Sequence, residues 1–574
     1  MIRLLLLLCS LAWPVTRTHQ ELIDYQGRKG DITHLFDLYS RTEGASPRER
    51  GADPTGTRDA TAAIQSIIDD SLPIFDDGTG IYKIHTPLRV PAGYPLRIRG
   101  TLRLRPDSAI TALTHYGTTV RVCTLTNATR TGYRARTILV TEATGMQAGD
   151  LISLKSLTLW PYNNEGSRKK GELHKIESIY FGVAPAPDTI TPTIPMFNDY
   201  TPGSDTIVVT AYRPQVIDIE GLEIVFDPPQ SGYGLGFQFL DGATSRIRNV
   251  TVKGAQAAGI SLGDCFGLTV ENPRLIENYA SGAGYGVAFS QVTQCHVKGG
   301  FGYRNRHAVD FSGDFPSHFS GVQGMHVVGH PDEGDCMGTH GPANHITFRG
   351  NTCAHAPVGI GIRSPNTQIH DNFFTGIASA MVNLNGAPGI SVRGNTHFLQ
   401  AGGNNPDGAA GYFMEVSLSD NAGRTDTSDF YSFANTQFVV EDNTVSPRIE
   451  FLRFNSGIRR MEFWSVRNNA VTLQTSSSGD TVSFIRGVDS VLVKNTSVIA
   501  GNKVRSAGAN TYVELKNVYL RGGADAGQVL RGLGTPEAIV TAPVGSLYIR
   551  TDGGASTTLY VKESGTGNTG WVAK

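Results

Sequence analysis

A short motif of alternating apolar and polar residues recurs along the middle of the chain at intervals of 22 to 28 residues. Its seven copies begin at Phe237, Ile260, Val287, Val309, Met337, Ile360 and Val382. Such a period is typical of solenoids, in which each coil buries its apolar side against its neighbours. The intervals leave no room for crossover helices between the strands. The repeat therefore predicts an all-β parallel β-helix whose loops vary in length.

A second column of strands runs beside the first and ends in asparagine. Its members are Phe348–Asn351, Ile369–Asn372, Val392–Asn395, Val440–Asn443, Val466–Asn469 and Val493–Asn495. Asparagine tolerates left-handed backbone, and its amide can hydrogen-bond from one coil to the next. We therefore expect an asparagine at a corner of each coil.

Composition excludes several other classes of protein. Of the 574 residues, 67 are Gly and only 18% are charged, which argues against an all-helical fold. Because 50 Lys and Arg balance 51 Asp and Glu, the basic surface of a nucleic-acid-binding protein is not expected. The six Cys show no paired spacing that would indicate a zinc module or a disulfide scaffold. No stretch beyond the N-terminus is apolar for long enough to predict a membrane span.

The β-helix is predicted to start within residues 51–117, behind a capping helix. Ala62, Ile64, Ile67 and Ile68 give this helix an apolar stripe that can cover the first coil. Residues 51–64 read Gly-x-Asp-x-Thr-x-x-x-Asp-x-Thr-x-Ala-Ile. This motif resembles the opening motif of the pectate-lyase-like right-handed β-helix proteins, which include phage tail spikes and secreted polysaccharide lyases. The resemblance implies a right-handed β-helix and activity on polysaccharides.

Residues 506–574 form a predicted C-terminal module. Two short strands, at 546–550 and 558–562, are followed by Trp571. A unit of this size is too small to fold alone, so it should pack on another chain or on the last coil. The module resembles the terminal module of phage tail fibres and spikes, and this resemblance implies a parallel homotrimer.

The remaining segments complete the predicted domain organisation. Residues 1–20 contain one Arg followed by about ten apolar residues, which predicts a secretory signal or an anchoring segment. Residues 21–50 are expected to form a polar linker or adaptor. Residues 118–226 interrupt the repeat and predict a small β-rich insertion, whereas residues 227–505 form the glycan-binding and catalytic β-helix.

The outward positions of the stacked strands should form one wall, because neighbouring strands lie about 4.8 Å apart. The first outward column is Gln238, Ser261, Ala288, Asp310, Gly338, Gly361 and Asn383, and the second is Leu240, Gly263, Ser290, Ser312, His340, Arg363 and Asn385. Asp310, His340 and Arg363 are therefore predicted on three consecutive coils. The small residues around them would leave an open groove for an extended chain.

The longest intervals place two loops beside this patch. Residues 329–335 bring Asp332, Glu333 and Asp335, and residues 303–307 bring Tyr303, Arg304, Arg306 and His307. We expect Asp310, His340, Arg363 and Asp335 to be catalytic. The other loop residues, together with Asn385, are expected to bind substrate. The aromatic residues Tyr279, Tyr285, Phe315 and Phe319 are either glycan subsites or packing residues.

Two reaction types fit these residues. A glycoside hydrolase needs two carboxyl groups across the scissile bond, which Asp310 could form with Asp335, Asp332 or Glu333. A polysaccharide lyase needs a base and a group that neutralises a uronate carboxylate. His340 could be that base and Arg363 the neutralising group, with Asp310 orienting the imidazole.

Neither reaction type requires a cofactor, and none is predicted. Calcium is the alternative, held by His326, His330, Asp332 and Asp335. The chain has no HExxH motif and no EF-hand spacing.

The leading hypothesis is a trimeric phage or prophage tail spike that binds a bacterial surface polysaccharide and cleaves it within the chain. The substrate would be a capsule, an exopolysaccharide or an O-antigen, and the protein would be part of the virion tail, attached through an adaptor protein. The alternatives are a secreted bacterial polysaccharide lyase and a non-catalytic receptor-binding adhesin.

Overall fold

The computed structural model describes residues 44–126, 136–160, 168–203, 205–385, 389–397, 412–417, 437–447, 450–455, 460–461, 463–473, 483–494, 498–506, 514–521 and 529–574. The apolar segment 1–20, most of the linker 21–50 and the corner residue Asn495 lie outside these residues.

Three long parallel sheets run along the described part of the chain, and successive coils contribute one strand to each. Sheet 1 contains Ile74–Asp76, Leu96–Gly100, Ile217–Glu220, Arg246–Arg248, Thr269–Glu271, His296–Lys298, Gly321–Gln323, Thr347–Arg349, Gln368–His370, Ile390–Arg393, Gln437–Glu441, Phe463–Arg467 and Val498–Ala500. Sheet 2 contains Thr55–Asp59, Ile81–Ile84, Leu102–Pro106, Leu222–Gln230, Thr251–Ala255, Arg274–Ile276, Phe301–Tyr303, His326–Val328, Thr352–Ala354, Phe373–Thr375, Thr396–His397, Thr444–Val445, Ala470–Leu473 and Lys503–Ser506.

Sheet 3 carries the strands of the first repeat. It contains Leu88–Arg89, Thr111–His115, Tyr233–Gln238, Ala258–Gly263, Tyr285–Ser290, His307–Ser312, Asp335–Thr339, Val358–Ile362, Ala380–Asn385, Tyr412–Ser417, Glu450–Phe454, Arg460–Met461, Ser483–Lys494 and Glu514–Arg521. A minor pair, Ser317–His318 with Ala343–Asn344, lies between sheets 3 and 1 in chain order. The predicted all-β, right-handed parallel β-helix is confirmed.

The core consists of the inward-facing apolar side chains, which stack from coil to coil. Phe289 lies over Phe311 with ring centroids 5.0 Å apart, and Phe413, Phe451 and Phe484 continue such stacking at 5.1 Å. The alternation of the repeat therefore buries one side of each strand as predicted.

The alternation breaks near the start of each sheet 3 strand. Two consecutive residues face the core there, as in Ala308 with Val309 and Cys336 with Met337. The strand bends at this pair of inward residues. The residue before the pair points outward, and so do alternate residues after it. This bend gives the outward face of sheet 3 an extra column, which begins Tyr233, Ala258, Tyr285, His307 and Asp335.

The register of one predicted strand is wrong. Gln238 stacks on Gly263 and not on Ser261, because Leu235, rather than Phe237, pairs with Ile260. Leu240, assigned to the outward wall, is buried in the core. The shift by two residues keeps Gln238 on the outward side, whereas Leu240 is buried because it lies beyond the end of the strand Tyr233–Gln238, after Phe239 with a φ of 59°.

An asparagine ladder forms one corner of the coils. Its members are Asn351, Asn372, Asn395, Asn443, Asn469 and Asn502. The side-chain oxygen of each member after the first accepts two hydrogen bonds of 2.8–3.1 Å from the preceding asparagine, one from its backbone N–H and one from its side-chain amide. A shorter ladder joins Asn278 to Asn305. Each amide also donates to a backbone carbonyl of the preceding coil, as Asn372 does to Phe348.

The capping helix spans Thr61–Asp69 and buries Ile64, Ile67 and Ile68, whereas Ala62 of the predicted stripe is exposed. The insertion is an antiparallel sheet with the strand order Thr118–Thr124, Ile207–Arg213, Leu151–Leu159, Lys169–Tyr180, Asp188–Pro192 and Ile138–Val140. The coil resumes at Ile217, inside the range assigned to the insertion.

The C-terminal strands Val529–Gly532, Leu547–Arg550, Leu559–Lys562 and Trp571–Ala573 form a separate sheet. Trp571 is buried in it and donates from Nε1 to the carbonyl of Val540 at 2.7 Å. Among the residues described, no helix is long and apolar enough to cross a membrane.

Candidate active site

The candidate site lies on the outward face of sheet 3. Ala288, Asp310, Gly338, Gly361 and Asn383 stack in register on successive coils. A Cβ at Gly361 would overlap an oxygen of Asp335, and a Cβ at Gly338 would be crowded by the Gly361 carbonyl at 3.0 Å and by Asp335 at 3.3 Å. The column therefore contributes the carboxyl group of Asp310, and its glycines leave room for the carboxyl group of Asp335 beside it.

His340 lies between an acidic and a basic partner. Its Nε2 is 3.7 Å from Oδ1 of Asp310, and its Nδ1 is 3.0 Å from a terminal nitrogen of Arg363. Arginine can only donate, so Nδ1 accepts the hydrogen bond and the proton of the neutral ring is on Nε2, facing the carboxylate. The predicted proximity of these three residues on consecutive coils is found in the structure.

The three residues differ in their access to a substrate. The side chain of Asp310 is 1% exposed, whereas that of His340 is 18% exposed and Arg363 is half-buried. Asp310 is therefore covered, and the groove is less open above it than the small neighbouring residues suggested. Asp310 can therefore influence a ligand only through the groups that cover it.

Asp335 is a strand residue on the same face, where the sequence placed it in a loop. Burial is the main cause that raises the pKa of its carboxyl group to about 6; the negative charge of Asp310 adds to the shift, and the positive charge of Arg363 opposes it. One of its oxygens lies 3.3 Å from the position that a Cβ on Gly338 would occupy, and Asp310 Oδ1 lies 3.9 Å from the same point. The two oxygens are thus at most about 7 Å apart, and the separation of about 5–5.5 Å in a retaining hydrolase falls within this limit.

His307 is also a strand residue and not a loop residue as predicted. Its Nδ1 lies 3.2 Å from the carbonyl oxygen and 3.3 Å from the amide nitrogen of Asp335. Burial, with the charge of Arg306 next, holds its pKa well below the usual histidine value, so the ring is neutral. Its ring plane is nearly perpendicular to that of His340, with centroids 6.1 Å apart.

Arg306 and Glu333 are bound to each other. Arg306 donates from Nε to Oε1 of Glu333 at 3.0 Å, and from a terminal nitrogen to the hydroxyl oxygen of Tyr285 at 3.0 Å. Glu333 also accepts from the backbone of Gly282 and from the hydroxyl of Tyr279. The hydrogen bond from Gly282, with those of Arg306 and Tyr279, lowers the pKa of Glu333 and keeps it ionised.

The remaining predicted residues lie elsewhere. Tyr303 belongs to sheet 2, where it stacks on Phe301, and the guanidinium of Arg304 lies 5.2 Å from its ring. Asp332 is exposed on its loop. Asn385 is on the same face as Asp310 but at the end of a strand three coils away.

Two features of this face were missed by the sequence analysis. Tyr285 was considered only as an aromatic residue, although it occupies the same outward column as His307 and Asp335. Further along, Glu415 accepts from Asn383 and Asn455, and Glu450 pairs with Arg486 at 2.7 Å. The double inward pair at each bend is the signal in the sequence that could have located the extra column.

One group of residues has the composition of a metal site. Among the described residues, His307, Asp310 and His340 each place one ligand atom within 4.8 Å of the others. Arg363 donates to one nitrogen of His340 and so leaves the proton on the nitrogen that faces Asp310. A cation between these groups would have to displace that proton beside a guanidinium, so the arrangement does not fit a metal ion. The acidic-loop residues proposed for calcium do not form this group.

No family model matches the chain, and no curated protein is similar to it in sequence. Several solved structures are similar in fold. The tailspike protein gp49 from Pseudomonas phage LKA1 is 17% identical with a TM-score of 0.60, and the match covers 83% of each chain. The Pseudomonas phage phi297 tailspike gp61 is 15% identical with a TM-score of 0.55, over 86% of this chain and 81% of that one.

The Gp54 tailspike of Acinetobacter baumannii bacteriophage AP22, solved in complex with A. baumannii capsular saccharide, is 14% identical with a TM-score of 0.54. That match covers 85% of this chain and 80% of the tailspike. The chain therefore has the right-handed parallel β-helix fold found in these phage tail spikes.

Proposed function

We propose that this chain is a phage or prophage tail spike depolymerase, which binds a bacterial surface polysaccharide and cleaves it within the chain. The observation that carries the proposal is the arrangement of Asp310, His340 and Arg363 on the outward face of the β-helix. An acid, an imidazole and a guanidinium in contact can move a proton and stabilise negative charge. The AP22 tailspike, which shares the fold, binds a capsular saccharide, and this supports a glycan as the ligand.

The accessibility of the groups favours elimination over hydrolysis. A hydrolase needs both carboxyl groups beside the scissile bond, and Asp310 is covered. The groups that can reach a substrate are the imidazole of His340 and the guanidinium of Arg363. These are the base and the carboxylate-binding group that elimination from a uronic acid residue requires.

Arg363 has two uses in this reaction. In the free protein it donates to Nδ1 of His340 and so occupies the lone pair of the base. When its guanidinium binds the uronate carboxylate instead, Nδ1 becomes available to remove the proton from the adjacent carbon. Asp310, facing Nε2, stabilises the imidazolium that then forms.

Hydrolysis is the second candidate, and the raised pKa of Asp335 favours it. A carboxyl group with a pKa of about 6 can hold a proton for the leaving oxygen near neutral pH. A trimer and attachment to a virion through an adaptor protein remain proposals. The exposed apolar residues Leu533, Ile539 and Val544 of the C-terminal module, which a second copy could cover, support the trimer.

The test is an assay of the purified full-length chain against capsules, exopolysaccharides and O-antigens from many bacterial strains. New reducing ends together with the ultraviolet absorbance of an unsaturated uronate indicate elimination. Reducing ends alone indicate hydrolysis and favour the second candidate. Binding without either product would identify an adhesin and overturn the proposal.

A further inference from the structure

Tyr285 lies beside His307 and His340, and its hydroxyl group has no role in the proposed elimination. It begins the strand Tyr285–Ser290, one coil before His307, in the same outward column. Its ring is nearly parallel to that of His307, with centroids 5.5 Å apart, and meets His340 edge-on at 6.5 Å. Along the β-helix, Tyr285 lies three coils before Arg363, and His307 and His340 lie on the coils between them.

The hydroxyl group of Tyr285 is held by a cation. Arg306 donates to its oxygen at 3.0 Å, and the guanidinium lies 5.7 Å from the ring centroid. Because the oxygen accepts this bond, the hydroxyl proton can be donated elsewhere. A guanidinium beside the oxygen also stabilises the phenolate that remains after a proton is donated.

Arg306 is held in turn by an ionised carboxylate. Glu333 binds its Nε at 3.0 Å and is itself fixed by the backbone of Gly282 and the hydroxyl of Tyr279. These partners come from two separate loops, one with Glu333 and one with Tyr279 and Gly282. The position of the Tyr285 oxygen is therefore set by a chain of contacts and not by one flexible side chain.

The phenol keeps its proton at neutral pH. Burial raises the pKa of Tyr285 and the negative charge of Asp310 raises it further, against the opposing effect of Arg306. A group in this state is suited to give a proton and is unsuited to remove one from carbon. The complementary role, removal of a proton, belongs to the neutral imidazole of His340.

Resting on the proposed function, we infer that Tyr285 is the general acid of the cleavage and donates its hydroxyl proton to the oxygen of the departing sugar. Nδ1 of His340 takes the proton from the carbon beside the uronate carboxylate, and the electrons of that C–H bond form the carbon–carbon double bond. The bond from the neighbouring carbon to the glycosidic oxygen breaks, and this oxygen receives the Tyr285 proton. Water then returns a proton to the phenolate and accepts the one on His340.

Arg306 and Glu333 act through Tyr285 and are positioning residues. The sequence assigned both to substrate binding, but their hydrogen bonds to each other and to Tyr285 occupy them in the free protein. A variant of Glu333 should therefore alter proton transfer rather than the affinity for the glycan.

The experiment compares Tyr285→Phe with Tyr233→Phe in the full-length protein, on the polysaccharide that the wild type degrades. Tyr233 is in the same outward column two coils earlier, it is exposed, and its variant loses the same hydroxyl group. We expect Tyr285→Phe to lower kcat by about 100- to 10,000-fold with little change in KM, and Tyr233→Phe to retain wild-type kcat. Thermal unfolding shows whether each variant is folded.

A ring-fluorinated tyrosine at position 285 provides the readout that a structural role would not affect. Fluorine lowers the pKa of the phenol, so the loss of kcat at high pH should move to lower pH by the same amount. Full activity of Tyr285→Phe, or an unmoved pH profile of the fluorinated protein, would overturn the inference while the depolymerase assignment stands. A wild type inactive on every polysaccharide would overturn both.

Discussion

Nδ1 of His340 accepts a hydrogen bond from Arg363 at 3.0 Å, although both residues are predicted to act on the substrate as base and carboxylate-neutralising group. The contact keeps the imidazole neutral and its proton on Nε2, opposite the buried Asp310. Because of this hydrogen bond, the proposed base His340 and the proposed carboxylate-binding group Arg363 stay bound to each other until an anionic ligand binds Arg363. A carboxylate binds a guanidinium more strongly than the hydroxyl groups of a neutral glycan do, so under the proposed function this contact favours an acidic polysaccharide as substrate.

Replacing Arg363 with Ala should abolish most of the turnover. The variant leaves the lone pair of His340 accessible but has no group to neutralise the uronate, and loss of one such donor costs about 100- to 1,000-fold in kcat. The measurement is kcat and KM on the identified polysaccharide, with added guanidinium ion as a rescue. Arg349→Ala, which removes an exposed arginine from sheet 1, is the matched control. Equal activity of the two variants would exclude Arg363 from the reaction.

Asp310→Asn should reduce turnover without unfolding the coil. The amide is similar in size but has no negative charge, so the imidazolium loses its stabilisation and the ring its preferred tautomer. We expect kcat to fall by about 100- to 10,000-fold, measured beside the thermal unfolding temperature. Asp371→Asn, at an exposed carboxylate directly after the sheet 1 strand Gln368–His370, should have wild-type activity. Retained kcat in Asp310→Asn would mean that His340 does not depend on this carboxylate.

The β-helix could be predicted because the repeat interval in the sequence equals the length of one coil. Each repeat residue from Ile260 to Val382 pairs in the structure with the next one that the sequence predicted. The contact of His340 with Arg363 followed from the same counting. The positions of Asp335 and His307 did not, because strict alternation fails at the bend before Val309 and Met337. The covering of Asp310 could not be predicted either, since it depends on side chains from other coils.

Asp335 should make the stability of the protein depend on pH. Its pKa is about 6 in the folded protein against an ordinary value of 3.8, so the folded state binds the proton more tightly. The folded state is therefore most favoured below about pH 4, and this advantage is lost as the pH rises through 6. Asp335→Asn should remove this dependence and increase the free energy of unfolding at pH 8 by about 2–3 kcal/mol.

The measurement for Asp335 is the unfolding temperature of wild type and variant from pH 4 to pH 8, with Asp332→Asn as the control. Asp332 is on the loop that precedes the Asp335 strand, and its side chain is 83% exposed. Parallel curves for wild type and Asp335→Asn would show that this carboxyl group is not the source of the dependence. If Asp335 is also the acid of a hydrolase, the stabilised variant will lose its activity.

The asparagine ladder predicts a large loss of stability from one substitution. Asn372 is 1% exposed; it accepts from Asn351 and donates to Phe348 and Asn395. Asn372→Ala leaves these groups buried without their partner, at about 1–3 kcal/mol for each. We expect faster unfolding and a lower unfolding temperature, with kcat of the folded fraction unchanged. Asn366→Gly, at a half-buried asparagine outside the ladder whose φ of 55° glycine adopts readily, should cost much less.

Removal of divalent metal ions should leave the activity intact. His307, Asp310 and His340 are close enough to suggest a metal site, but Arg363 bonded to His340 supplies a positive charge and holds the proton on the nitrogen that a metal would need. The guanidinium can also neutralise the substrate carboxylate, so a metal ion is not needed for that purpose. Turnover after exhaustive dialysis against a chelator should therefore equal that before it, and addition of calcium or zinc should not increase it. A loss on dialysis that calcium restores would instead place a cation in the reaction and assign Arg363 a different role.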